Sequence, residues 1–126
     1  MRNTEQVRIS HDLFKLYLEL EKESAELREK GKELKERKDW ASRYFNTLEW
    51  FSLLVNSQEI KNERLIGFYE PLIIGSCEQI LPKHFSESEI KEDYIFPELQ
   101  DLYENLKKGK IKVYRHNKSI HKKKNS

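Results

Sequence analysis

The chain has 126 residues, 37% of them charged and only 37% hydrophobic, with 4 Gly, 3 Pro and a formal net charge of +2. An apolar share below the ~45% of ordinary globular chains limits it to one small core, and so few turn-forming residues exclude an all-β protein. The single cysteine, Cys77, excludes an internal disulfide; with no secretory signal ahead of it the expected setting is a reducing cytoplasm, and no run reaches the ~20 apolar residues of a transmembrane helix.

The charge is unevenly spread. Residues 110–126 hold seven Lys and Arg and no acid, which leaves 17 basic and 22 acidic residues in 1–109, a net of −5. The patterning predicts an all-α fold: a four-helix, bundle-like domain over 1–109 with a long protruding N-terminal helix, followed by a disordered basic tail over 110–126.

The first helix is expected over 12–38, with Ser10 or Asp12 as its cap. Leu13 to Leu20 form a broad apolar face, and beyond Glu21 charge dominates, so the second half is expected to stand clear of the body. Leu13, Leu20, Leu27 and Leu34 recur every seven residues. A coiled coil wants apolar residues also at the intervening seam positions, which are Tyr17, Ser24 and Gly31, so the heptad signal is half present.

The second helix is expected over 40–56, capped by Asp39, with Trp40, Tyr44, Leu48, Phe51 and Val55 on one stripe. Ala41, Phe45, Trp50 and Leu54 widen it, which calls for more than one helical neighbour. NSQEIKNE then makes a polar turn with Ile60 as an apolar plug and Asn62 as the next cap. The third helix, 62–81, is apolar over most of its circumference and is expected to be the most central. Pro71 predicts a kink near Phe68 to Glu70, and Pro82 the helix end.

Ser86 and Glu89 have the spacing of a capping box. The fourth helix, 95–108, carries Ile95, Leu99, Leu102 and Leu106 on one face, with Pro97 near its start and Gly109 as its stop. Beyond it, Ile111, Val113 and Tyr114 are the only tail residues able to lie against the body.

Chemical motifs are few. One Cys and the dispersed His11, His84, His116 and His121 do not make a zinc site, no His stands three residues after a Glu as in di-iron bundles, and four scattered glycines make no phosphate loop. No metal, cofactor or catalytic residue is assigned. Cys77, among Ile73, Ile74 and Ile80, reads as a small buried hydrophobe, and His84 as a loop residue. Arg43, Glu49 and Glu70 are the charges that helix packing is able to bury, as a structural ion pair.

Two resemblances bear on function. Arg115 followed by His121 resembles the Arg-x(4 to 6)-His motif of the HEPN ribonucleases, all-helical proteins whose dimers bring both residues to a cleft; it implies a small helical ribonuclease. Residues 43–74, with Tyr44, Phe45, Asn46 and Glu49 and then Glu59 to Phe68, are similar to a family of uncharacterised helical proteins. Many of those carry an N-terminal membrane helix that has no counterpart here, and the family implies no activity.

The leading expectation is therefore a non-enzymatic helical interaction module. It would form a homodimer, or bind a helical protein partner, through Leu13, Tyr17, Leu20, Leu27, Leu34, Trp40 and Trp50. The alternative is a nucleic-acid-binding accessory protein in which Lys110, Lys112, Arg115, Lys118, Lys122, Lys123 and Lys124 neutralise phosphates. The HEPN-like ribonuclease ranks third.

Overall fold

The computed structural model describes residues 2–31 and 37–114, and among them every regular element is helical. α1 spans Asn3–Glu29, α2 Lys38–Asn56, α3 Glu63–Gly75, α4 Leu81–His84, α5 Glu87–Lys91 and α6 Pro97–Lys107; a π-helical turn, Ser76–Ile80, joins α3 to α4. The all-α class holds.

α2 is the centre. Nine of its side chains are buried, Trp40, Ala41, Tyr44, Phe45, Leu48, Phe51, Ser52, Leu54 and Val55, against four on α3. The expectation that the third helix is the most central is therefore corrected. Counting apolar residues around α3 ignored that Phe68 is 60% exposed and that Leu65, Leu72 and Ile74 are only half-buried. α1 lies along one side of α2 and α6 along another, with α4 against α2 and α3 against α6. Its first turn holds Asp39 while Arg37 stands at the cap position without a capping bond, so Asp39 favours the positive helix end without capping it.

α1 begins nine residues earlier than the pattern predicts and ends nine earlier. The reason is polar burial that hydropathy does not register. Gln6 is buried, and its Oε1 accepts from the amides of Lys61 and Asn62 at 2.9 and 3.0 Å. Ser10, also buried, is inside the helix, and its carbonyl accepts from Tyr69 Oη at 2.6 Å. These two continue inward the stripe of Leu13, Tyr17 and Leu20, so the early turns are packed without being apolar. At the other end Lys30 caps the helix and Gly31 follows at φ 68°, a conformation that ends helices. The expected protrusion is corrected too: Leu27 still packs on the core cluster, and Arg43 Nη2 donates to Glu23 Oε2 at 2.8 Å, so α1 is seated on α2 along most of its length.

The hairpin from α2 to α3 forms as read. Ile60 plugs the turn at 1% exposure, and the Asn62 side chain accepts from the amides of Arg64 and Leu65. α3 continues unbroken through Pro71 to Gly75. The irregularity comes later, as the π turn in which the Leu81 amide reaches back five residues to the Ser76 carbonyl. Pro82 follows it directly. Proline has no amide for the carbonyl four residues back and its ring crowds that carbonyl; widening the turn before it keeps the backbone helical, so Pro82 sits in the first turn of α4 instead of ending the run.

Ser86 and Glu89 make the reciprocal capping box that opens α5. α6 starts at Pro97, two residues after the predicted start; Phe96 at its cap position has φ 50° and no capping side chain. α2 supplies the cap instead. Glu49 accepts from the Leu99 and Glu98 amides at 2.7 and 3.2 Å, and Asn56 Nδ2 donates to the Glu98 carbonyl at 2.9 Å. Lys108 and then Gly109, at φ 70°, close the helix.

The body also extends beyond residue 109. Ile111 and Val113 pack on the core cluster, the Tyr114 amide donates to the Glu63 carbonyl at 3.1 Å, and the Arg64 guanidinium lies 4.2 Å from the Tyr114 ring centre. The tail beyond 114 lies outside the described residues.

Two predictions follow from these joints. Glu49→Ala removes the acceptor at the α6 N-terminus and is expected to cost about 1–2 kcal/mol, a fall in Tm of several degrees by circular dichroism; Glu49→Gln, which keeps an acceptor, restores most of it. An unchanged melt for the alanine variant contradicts the cap. At Gly67, a Cβ would stand 2.2 Å from the Tyr114 carbonyl oxygen, so Gly67→Ala must displace 110–114. Trypsin cleavage after the exposed Lys110 and Lys112 then accelerates while helix content is kept; an unchanged cleavage rate contradicts the contact.

Candidate functional site

The residues expected to form an interaction face divide sharply. Leu20 and Trp40 are buried, and Leu13, Tyr17 and Leu27 pack against the core cluster. Trp40 Nε1 donates to the Leu20 carbonyl at 2.6 Å, and the Tyr17 ring lies 5.8 Å from that of Tyr44. Leu13, Leu20 and Leu27 of the seven-residue repeat are thus used inside the chain, to seat α1 on the core, and this part of the expectation is corrected. Leu34 lies outside the described residues. Among the described residues of the set, Trp50 alone is open to solvent, at 51% exposure.

Trp50 belongs to an apolar seam that the sequence pattern did not isolate. Arg43 on α2 meets Glu23 on α1, and the two helices run antiparallel, since Leu20 meets Trp40 at the start of α2 while Gln6 reaches the turn after its end. Trp50 lies two helical turns along α2 from Arg43, and Leu16 two turns back along α1 from Glu23. Leu16 is 43% exposed, and Leu53, one turn beyond Trp50, is 38% exposed. Between Arg43 and Glu59 the sole charged residue is Glu49, and its carboxylate is turned to α6. In a chain that is more than a third charged, the outer face of α2 beyond Arg43 carries none.

A cleft opens where the end of α1, the start of α2 and α4 converge. Glu21, Ser24 and Arg28 come from α1, Arg37 and Trp40 from the α2 start, and Ile80, Lys83 and His84 from the π turn and α4; they enclose about 390 Å³. His84 is in the last turn of α4, a correction to its reading as a loop residue, with its ring 5.6 Å from that of Trp40. Burial, then the positive charges of Arg37 and Lys83, hold its pKa below the usual histidine value. Arg28, Arg37 and Lys83 escaped sequence reasoning because they are spread over three elements; the one available signal was His84, the histidine nearest the apolar core.

A third concavity, about 500 Å³ between the α2 end and α6, is lined by Glu98, Asp101 and Glu104 together with Tyr94 and Lys108. Among the described residues no group of three His, Cys, Asp or Glu is arranged to hold a metal ion, and no described helix is long and apolar enough to cross a membrane. Of the charges expected to be buried, Arg43 is exposed and pairs with Glu23 and Asp39, Glu49 caps α6, and Glu70 is buried on α3. They do not form a common pair.

Lys110 and Lys112 are exposed on the segment that crosses the body. Arg115, Lys118, Lys122, Lys123 and Lys124 of the phosphate-binding reading, and His121 with Arg115 of the ribonuclease resemblance, lie outside the described residues. No protein-family model, no curated protein and no solved structure matches the chain.

Cys77 is the second residue of the π turn, half-buried against the core, and burial with the neighbouring Glu78 charge pushes its thiol pKa up to about 12. At pH 8 on the order of 10⁻⁴ of such a thiol is ionised, too little for a nucleophile. Iodoacetamide is expected to leave the native protein essentially unlabelled at pH 8 and to modify it stoichiometrically in denaturant; rapid labelling of the native form contradicts the buried reading.

Proposed function

We propose that the chain is a non-enzymatic helical interaction module that pairs with a second copy of itself across the α1–α2 seam. The observation that carries this reading is the outer face of α2 beyond Arg43, free of exposed charge with Trp50 and Leu53 on it, together with the exposed Leu16 on α1. Depletion of charge around an exposed tryptophan is the composition of an interface centre. A second copy is the favoured occupant because a two-fold axis lays this face on itself, apolar on apolar, with no charge needing a complement. At the end of the seam, Arg43 is already engaged by Glu23 and Asp39. The half-buried thiol of Cys77 accords with a reducing cytoplasm.

Magnitudes make the pairing weak. Covering six half-exposed side chains across the pair recovers roughly 1.5 kcal/mol each, about 9 kcal/mol in all, against about 4 kcal/mol of lost rigid-body freedom, a net near 5 kcal/mol that corresponds to a Kd of about a few hundred micromolar. Association is therefore expected only toward high micromolar concentration. Sedimentation equilibrium over a wide concentration range is expected to show a monomer–dimer equilibrium that Trp50→Glu or Leu53→Glu shifts to monomer, with helix content unchanged. A wild-type chain that stays monomeric throughout contradicts the proposal, as does a dimer indifferent to both substitutions.

A further inference from the structure

We propose that the cleft between α1, α2 and α4 binds a small phosphorylated ligand through Arg28, Arg37, Lys83 and His84. The cleft brings three permanent cations and an imidazole together from three elements, with Glu21 the single acid among the described lining residues. Like charges gathered by folding repel one another at a cost in stability, and a bound dianion removes that repulsion. Free surface lysines avoid this situation by pointing apart.

The second observation concerns hydrogen bonding. Arg37 Nε and His84 Nδ1 are shut off from solvent, and among the described residues neither has a hydrogen-bond partner. Buried polar atoms are nearly always satisfied, and each one left unpaired costs about 1–3 kcal/mol. Both atoms belong to the side chains that line the cleft. A phosphate offers several acceptor oxygens at once, suits the planar guanidinium fork of arginine, and accepts from lysine as a point charge. A carboxylate has half the charge to set against four basic groups. The imidazole is held in place by the Trp40 ring at 5.6 Å, and Trp40 is itself fixed by its bond to the Leu20 carbonyl. A volume of about 390 Å³ is in the range of small-molecule sites and favours a compact ligand over a polymer.

The test is a nuclear magnetic resonance titration of the full chain with inorganic phosphate and with glucose 6-phosphate, ionic strength being matched with sodium chloride. The expected result is a saturable displacement of the His84 ring resonances and a rise of its pKa by about one unit, with His11 unmoved. Burial, then Arg37 and Lys83, set this titration, and Arg28 and Glu21 are the other charged groups lining the cleft with Trp40. Arg37→Gln and Lys83→Gln are each expected to weaken binding about ten-fold. Lys83 is exposed, so its variant keeps the fold and remains decisive if the Arg37 variant does not. No saturable shift with either probe overturns the proposal, and so does binding unaffected by Lys83→Gln. A single-stranded oligonucleotide that moves His84 where both small probes fail also overturns it, in favour of a polymer-binding surface.

Discussion

Everything in this chain depends on covering α2. Its stripe of tryptophan, tyrosine, phenylalanine and leucine is too wide for one neighbour, so α1, the α3–α4 run and α6 must all close on it. Apolar burial supplies most of the free energy, but it is non-directional and leaves helices free to slide. Position along the helices is set by a few polar bonds within that cover: Trp40 to the Leu20 carbonyl, Tyr69 to the Ser10 carbonyl, Gln6 to the α2–α3 turn, and Glu49 to the α6 amides. Each satisfies a buried group that would otherwise be costly, and each fixes one helix against another.

The same requirement decides which surfaces are left over. Because Leu13, Leu20 and Leu27 pack on the core, they are not available to a partner, and apolar surface is left elsewhere, with Trp50 and Leu53 together on the outer face of α2. The cleft arises at the opposite end of the pairing, where α1 ends, α2 begins and the α4 turn arrives together. The π turn is part of the cause. It carries the helical backbone past Pro82, and so delivers Lys83 and His84 to the cleft wall as helical residues. The two surfaces share one residue behind them: Trp40 anchors α1 and backs His84.

Much of this was legible in the residues. The helical class, the breadth of the α2 stripe, the Ile60 plug, the Asn62 cap, the Ser86–Glu89 box and the Gly109 stop all rest on local chemistry that spacing reveals. The misreadings share a cause. Gln6 and Ser10 are core residues by virtue of hydrogen bonds to distant partners, Pro82 is absorbed by a turn geometry that spacing does not specify, and the cleft cations meet only in three dimensions. The heptad of α1 was read correctly as a contact stripe, but the sequence carries no mark that distinguishes an internal partner from an external one. That choice was made by Trp40 and Tyr44, which offer it a closer surface.

The central claim is that the leucine repeat faces inward and the Trp50 seam faces a second copy. Isotope-filtered nuclear Overhauser spectra on a mixture of labelled and unlabelled chain at high concentration test it most directly. The account predicts contacts between chains from the Trp50 indole to the methyl groups of Leu16 and Leu53. Contacts between chains arising from Leu13, Leu20 or Leu27 would contradict it.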